Sequence, residues 1–208
     1  MKKATTILCC IVIILLCTSA YGADSVYGRI GIGLSMPGNS DILDYTIPGA
    51  RVTSEFKKSM LGSIAVGQEY KNFRFEEELS YQSNEYHGAD IAGVNTPIKG
   101  ELSALTFMVN GYFDFKNYTD YTPYLTAGLG ASQMYISDLY VPAMGFGPTS
   151  DDDYVMAYQL GFGLLYKMDS KISIDLNYRY FVPSDPDFNT VQTELASHNI
   201  SIGLKFTF

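Results

Sequence analysis

Apolar and polar residues alternate with a period of two in eight separate stretches of the chain. In the first stretch, Ile30 and Ile32 share one face, whereas Arg29 and Gly31 share the other. Successive side chains of a β-strand point to opposite faces, so each stretch predicts a strand with one apolar face and one polar or small-residue face. The eight stretches span residues 25–36, 60–69, 73–81, 105–115, 124–130, 158–166, 172–180 and 199–208.

The connections between these stretches alternate in length. Three are short polar turns (70–72, 116–121 and 167–171), and four are long and rich in Pro, Gly, Asn and Asp (37–55, 84–100, 136–152 and 182–196). Bacterial outer-membrane barrels have short periplasmic turns and long extracellular loops. Because lipid cannot satisfy an open sheet edge, the strands must close into a ring. The sequence therefore predicts an all-β fold, an eight-stranded antiparallel transmembrane up-and-down β-barrel with both termini on the periplasmic side.

One acidic residue breaks the alternation. Glu77 falls on the predicted lipid-facing side of the third strand, between Phe75 and Leu79. An acid in lipid is unfavourable, and the cost decreases towards the membrane interface. Three explanations are open: Glu77 lies near the periplasmic rim, a partner covers it, or the register slips at this point.

The first 22 residues have the pattern of a signal peptide. Lys2 and Lys3 precede an apolar run from Ile7 to Cys17, which is too short for a membrane helix, and Ala20 and Gly22 supply the small residues of a cleavage site. We predict cleavage after Gly22, which leaves residues 23–208 as the barrel domain. A lipoprotein modified at Cys17 is a less favoured alternative. All three cysteines lie in this leader, so the mature protein is expected to have no disulfide.

Composition narrows the class of partner. The mature chain has 12 Lys and Arg against 22 Asp and Glu, a formal charge of −10, which argues against nucleic acid as a partner. After residue 22, no stretch approaches the ~20 apolar residues of a membrane helix. Outer-membrane lipid is the expected surrounding, and the bacterial outer membrane the expected location.

The predicted inward faces of the strands carry charged and hydrogen-bonding side chains. An eight-stranded barrel is only wide enough to be filled by its own side chains, and buried charges need partners. We therefore predict a packed polar plug rather than a gated ion path or a catalytic carboxylate pair. Its members are Arg29, Glu69, Arg74, Glu76, Glu78, Asn110, Tyr112, Asp114, Gln159, Asp175, Arg179 and Lys205.

No other motif predicts catalysis, a metal or a cofactor. His87 and His198 fall in different regions, and without cysteines they do not suggest a metal site. The His-x-Ser pair of the lipid A deacylase family is missing at both histidines. The Gly-x-Gly pairs, such as Gly161 and Gly163, lack a following helix and are expected to make room for Tyr and Arg side chains across the barrel.

The last strand resembles the terminal signal that the barrel assembly machinery reads. Its apolar side alternates up to a C-terminal phenylalanine, and this machinery is therefore an expected partner during biogenesis. The predicted signal consists of Ile200, Ile202, Leu204, Phe206 and Phe208.

Several stretches resemble the OmpA-like, opacity and major-surface-antigen superfamily of small outer-membrane barrels. The resemblance covers the strands well and the loops hardly at all; its carriers are residues 73–81, 108–115, 123–130, 158–163, 177–180 and the terminal strand. It implies a surface protein with a role in anchoring, adhesion or immune exposure, and we expect no peptidoglycan-binding domain in this chain.

The leading functional hypothesis is a non-enzymatic surface barrel whose four loops contact host cells or other ligands. A porin-like channel for small solutes or hydrophobic molecules is the alternative, and a lipid-modifying enzyme is the third hypothesis. Nothing in the strand pattern identifies the ligand, because lipid does not constrain the loops.

Overall fold

The computed structural model describes residues 24–38, 40–44, 51–56, 59–91, 94–96, 99–140, 149–184, 191–193 and 196–208. The predicted signal peptide, 1–22, lies outside these residues. Within them the regular elements are twelve strands. No helix in these ranges has the length and apolar character needed to cross a membrane. The strands are β1 (Ser25–Pro37), β2 (Ser40–Asp44), β3 (Arg51–Phe56), β4 (Ser59–Tyr70), β5 (Phe73–Ile91), β6 (Val94–Thr96), β7 (Lys99–Asp114), β8 (Tyr121–Tyr140), β9 (Thr149–Lys167), β10 (Ile172–Pro183), β11 (Val191–Thr193) and β12 (Ser197–Thr207).

Eight of the described strands close into an antiparallel ring. Their order is β1, β4, β5, β7, β8, β9, β10 and β12, so strands that follow each other along the barrel are neighbours. The ring closes where β1 pairs with β12, for example Ile30 with Leu204. Closure gives every spanning strand two hydrogen-bonded neighbours and leaves no edge in lipid. The predicted eight-stranded barrel is confirmed.

The alternation of side chains divides the outside of the wall from the inside. Ile32 and Leu129 are 63% and 68% exposed on the outer surface, whereas Tyr27 and Asn110 are fully buried on the inner one. In the spanning strands, the outward positions that the structure describes are predominantly apolar, as the membrane requires. The predicted face of each residue in the alternating stretches is the face it occupies.

Aromatic side chains cluster at the periplasmic end of the wall. Phe73 and Phe113 make an edge-on contact with ring centres 5.3 Å apart, and Tyr121 stacks on Tyr166 at 5.0 Å. Tyr118, in the turn between β7 and β8, is fully exposed. Aromatic rings at this level are typical of the interfacial girdle of membrane barrels.

The periplasmic turn between β9 and β10 is organised by one carboxylate. Asp169 Oδ1 accepts hydrogen bonds from the backbone N–H of Lys171 at 2.7 Å and of Ile172 at 2.8 Å. These bonds favour the charged form and hold the pKa of Asp169 below its ordinary value of 3.8. Such side-chain turns are a common use of aspartate in short connections.

This turn should therefore weaken in acid. A carboxyl group whose pKa is lower in the folded state stabilises the fold above its unfolded pKa, and that stabilisation is lost as the pH falls through the folded value. A carbon-detected NMR titration of the barrel in detergent should give Asp169 a pKa below 3.8. Asp169→Asn should remove the corresponding part of the acid dependence of stability. A pKa at or above the ordinary value would contradict this account of the turn.

The strands continue further on the extracellular side than the alternation predicts. The predicted long loops contain β2, β3, β6 and β11 and the outer parts of β5, β8 and β9. His87, assigned to the second loop, lies in β5, and Asp151 to Asp153 lie in β9. Backbone pairing persists beyond the lipid, but the lipid-driven alternation ends there, so the sequence carries no corresponding signal. The predicted loop boundaries were wrong in these segments.

The position of Glu77 removes two of its three explanations. Glu77 pairs with Val66 of β4 and Val109 of β7 in an uninterrupted register, so no slip occurs there. It lies four residues from Phe73 and four from Tyr81 along β5, away from the periplasmic rim. The third explanation, that a partner covers Glu77, stays a prediction.

Candidate functional site

The interior of the barrel concentrates the charged side chains of the spanning strands. The twelve residues of the predicted plug all lie at inward positions, and they come from seven of the eight barrel strands. Eleven of the twelve are almost completely buried; the exception is Glu69, which pairs with Lys205 at the periplasmic end and remains partly exposed.

A cluster of two arginines and three carboxylates occupies the middle of the interior. Arg29 donates to Glu76 Oε1 at 3.3 Å and also to Glu78, and its Nε lies 3.8 Å from Asp175. Arg179 Nη1 donates to both oxygens of Glu78, at 2.8 and 2.6 Å. Glu78 therefore joins arginines from β1 and β10, two strands that are separated in the ring by β12. Shared partners of this kind let buried charges compensate one another.

Tyrosine hydroxyls complete the coordination of these carboxylates. Tyr27 and Tyr112 both donate to Glu76, at 3.0 and 2.6 Å, and Tyr124 donates to Asp175 at 2.6 Å. The Tyr112 oxygen also accepts from Arg179 Nη2 at 3.0 Å. A hydroxyl that donates and accepts links the middle cluster into one network, which satisfies lone pairs that the arginines do not reach.

A second cluster lies towards the periplasm. Arg74 donates through Nε to both oxygens of Asp114, at 3.0 and 2.9 Å. Its guanidinium carbon lies 4.2 Å from the ring centre of Tyr112 and 4.7 Å from that of Tyr124. The aromatic faces attract the planar cation and close the barrel at this level.

Two glycines make room for tyrosines of the interior network. Gly67 pairs with Tyr27 across β4 and β1, and Gly163 pairs with Tyr124 across β9 and β8, so each ring lies over the glycine of the neighbouring strand. A Cβ added at Gly163 would lie 2.4 Å from Cζ and from the hydroxyl oxygen of Tyr124, and 2.6 Å from the Leu176 carbonyl oxygen. Space for a tyrosine was predicted at Gly163 but not at Gly67, and in both cases the ring lies on the neighbouring strand rather than across the barrel.

Replacing either glycine should therefore strain the interior. We expect Gly163→Ala to cost about 1–3 kcal/mol of unfolding free energy, because the added methyl group meets both a packed ring and a backbone oxygen. Gly62 is a matched control, since a Cβ there meets nothing within 4 Å. Urea unfolding in lipid vesicles, followed by circular dichroism, compares the two variants. Equal costs at Gly163 and Gly62 would exclude this packing role.

Towards the extracellular side, the charged network gives way to neutral polar and apolar side chains. Gln159 donates to Asn110 at 2.6 Å, and Ser201 donates to Asn177 at 2.8 Å. A small cavity lies beside these groups. The volume open to the centre of a water molecule is about 20 Å³, which is enough for roughly one water. Beyond it lies a mixed layer, in which the buried apolar side chains Leu102, Ala104, Met134, Val155 and Phe181 alternate with the buried polar side chains Ser35, Ser59, Asn84 and Ser197. Buried side chains of the described residues therefore extend along the interior from Lys205 near the periplasmic end to Phe181 near the extracellular end.

Sequence reasoning found the charged members of the network and missed several neutral ones. Tyr27 was not placed on either face, although it lies between the inward residues Ser25 and Arg29. Tyr124, Asn177 and Ser201 were placed inward but not in the network. The period of two contained the signal for all four, but it does not say which inward residues touch.

The described surroundings of His198 contain neither a nucleophile nor a set of metal ligands, and the side chain of His87 lies outside the described residues. His198 is exposed on the outer face of β12, where its Nδ1 lies 2.6 Å from the Tyr178 hydroxyl, and the neighbouring Ser197 is buried on the opposite face. In the described ranges, no group of three or more His, Cys, Asp or Glu side chains has a metal-binding arrangement.

The residues of the predicted assembly signal lie on the outer face of the terminal strand. Ile200 and Ile202 are about half exposed, and Phe208 is 83% exposed at the end of the chain. This placement leaves the apolar face of β12 accessible to lipid. The interaction with the assembly machinery stays a prediction.

Comparison with known proteins identifies the family. The sequence profile of the outer membrane protein beta-barrel domain matches residues 8–208. The chain belongs to this outer-membrane barrel family. It is 27% identical over 173 residues to outer membrane protein PagN of Salmonella typhimurium, a match that covers 71% of this chain and 72% of that protein.

Solved structures share the fold at low sequence identity. Neisserial surface protein A is 16% identical with a TM-score of 0.57, and the match covers 88% of this chain and 97% of that one. OprG of Pseudomonas aeruginosa is also 16% identical, with a TM-score of 0.56 and coverage of 89% and 97%. The resemblance to small outer-membrane barrels is confirmed, and so is the predicted location in the bacterial outer membrane.

Proposed function

We propose that this protein is a surface-contact barrel, which anchors in the outer membrane and presents its extracellular strands and loops to a partner on a host cell or in the surroundings. The filled interior carries the proposal. Because ion pairs, tyrosine rings and apolar side chains occupy the barrel at successive levels, the part of the molecule available for recognition is its outer end.

The unequal lengths of the strands support this proposal. The adjacent strands β5, β7, β8 and β9 have 19, 16, 20 and 19 residues, whereas ~9–11 residues span the membrane. The other four barrel strands have 11 to 13 residues. One side of the barrel therefore rises beyond the lipid as a sheet, and β3 and β2 extend it by pairing next to β5. A continuous sheet gives a firmer contact surface than isolated loops.

Charge indicates the class of partner. The four extracellular connections, 37–55, 84–100, 136–152 and 182–196, contain eleven acidic and two basic residues, for a formal charge of −9 with His87 neutral. Such a surface attracts basic protein surfaces and repels anionic glycans. We therefore propose a protein partner with a positively charged contact surface. The proposal assigns no catalytic step to the barrel.

Binding of the full-length barrel in lipid nanodiscs to cultured host cells tests the proposal. Binding should fall when salt rises from about 0.15 M to about 0.5 M, because the Debye length shortens. Asp185→Asn combined with Asp187→Asn should lower it several-fold, whereas Asp120→Asn in a periplasmic turn is the matched control. Binding that is insensitive to salt and to both loop substitutions would overturn the proposal, as would binding to heparin-like glycans alone.

A further inference from the structure

The lipid-facing wall carries one acidic side chain at mid-height. Glu77 lies four residues from the aromatic residues at either end of its span, Phe73 and Tyr81. At ~3.3 Å per residue and a tilt of ~45°, this places it about 9 Å in depth from each. The apolar band of such barrels is ~25 Å tall, so Glu77 lies close to its middle.

One carboxylate oxygen of Glu77 has no hydrogen-bond partner among the described residues. This oxygen, Oε2, is also shielded from solvent. The outward neighbours are Val66 and Val109 on the adjacent strands and Phe75 and Leu79 on its own. A polar group without a hydrogen-bond partner is strongly unfavourable in hydrocarbon. The chain therefore keeps at this point a group that lipid tails cannot satisfy.

We propose that Glu77 marks the contact between two copies of this chain in the membrane, where the two Glu77 carboxyl groups hydrogen-bond to each other. Between the aromatic ends of the strands, the described outward positions carry no lysine or arginine, so a second copy brings no lipid-facing cation. It does bring an identical carboxyl group. A protonated carboxyl both donates and accepts, so two of them are complementary.

Two-fold symmetry is the arrangement in which like residues meet. Both copies have the same orientation in the membrane, so the axis runs along the membrane normal and passes beside Glu77. Rotation about this axis brings the β4 side of one copy opposite the β7 side of the other. Val66 on β4 and Val109 on β7 flank Glu77 directly, so both belong to the contact surface.

The surface beside Glu77 has the shape for close approach. Gly111 and Ala127 pair across β7 and β8 and form the floor of an outward groove of about 540 Å³, walled by Phe75, Phe113 and Leu160. A Cβ at Gly111 would have only the Ala127 carbonyl oxygen within 4 Å, at 3.9 Å. Small residues let membrane-spanning backbones approach, and side chains of the second copy can enter the groove.

Cysteine cross-linking in the outer membrane tests this contact. Cys9, Cys10 and Cys17 all lie in the predicted signal peptide, so one substitution gives the mature barrel a single thiol. Val109→Cys should form a cross-linked dimer with a short thiol-reactive reagent. Leu204→Cys is the matched control, because β12 lies four strands away around the ring and faces the opposite side.

The role of the carboxyl is tested in the same Val109→Cys background. Glu77→Leu should reduce the dimer several-fold, while Glu77→Gln should retain it because two amides also exchange hydrogen bonds. Unheated gels check that both variants fold, and Leu is compatible with lipid at this position. Equal cross-linking at Val109 and Leu204 would overturn the proposal. So would a dimer that is unchanged by Glu77→Leu, or a monomer at every ratio of protein to lipid, which would mean that lipid covers Glu77.

Discussion

Arg29→Met should lower the free energy of unfolding by about 3–5 kcal/mol. Arg29 is 2% exposed and lies against Glu76, Glu78 and Asp175. Methionine fills similar space but leaves buried carboxylates without their shared cation, which is the costly way to break a buried ion pair. The chain contains no tryptophan, so unfolding in lipid vesicles is best followed by circular dichroism or by gel mobility.

A matched substitution at the periplasmic rim distinguishes the loss of a cation from the buried network from the general effect of removing a positive charge. Lys205 pairs with Glu69, whose side chain is 18% exposed, so water can compensate part of the loss in Lys205→Met. We expect its cost to be clearly smaller than that of Arg29→Met. Similar costs for the two variants would mean that the middle cluster is no more desolvated than the rim.

Leu129→Arg should cost about 2–4 kcal/mol, although Leu129 is 68% exposed. In a water-soluble protein, the same change on the surface is nearly neutral. Leu129 lies midway along the span of β8, between Tyr121 and Tyr135, where an arginine must be drawn into hydrocarbon. The loss of unfolding free energy therefore shows whether hydrocarbon surrounds this residue.

Tyr154→Arg is the control for depth. Tyr154 is 64% exposed, at the outer end of the wall, and arginine near the interface costs only about 0–1 kcal/mol. Vesicle unfolding of both variants gives the difference. If Leu129→Arg is as mild as Tyr154→Arg, the band between the aromatic ends is not in hydrocarbon.

The sequence predicted the strands because the bilayer imposes a simple rule on each residue. Ile32 must be apolar and Arg29 must point inward whichever residues pair with them, so alternation alone assigns their faces. Predicting which inward side chains touch one another also requires the register between strands. Tyr27 lies over Gly67 because of the register between β1 and β4, and Arg29 reaches Glu76 on the second strand away. Register between strands is a property of the closed ring, and a single strand does not contain it.

The extracellular part was predictable only as a set of connections. The outer half of β5 pairs with β3 beyond the membrane, where no lipid selects apolar residues on alternate positions. Glu77 was recognisable as an exception, but its height and its uninterrupted register came from the structure. Neither the strand pattern nor the barrel identifies the partner of the extracellular surface, because recognition depends on the chemistry of the loops.

The central claim is that a closed barrel in the outer membrane has an interior filled by its own side chains, and the current through a planar lipid bilayer tests it most directly. With the refolded protein inserted, and a sixteen-stranded porin as the positive control for insertion, we expect no steady open-channel current. A stable ohmic conductance that grows with each inserted molecule would contradict the account.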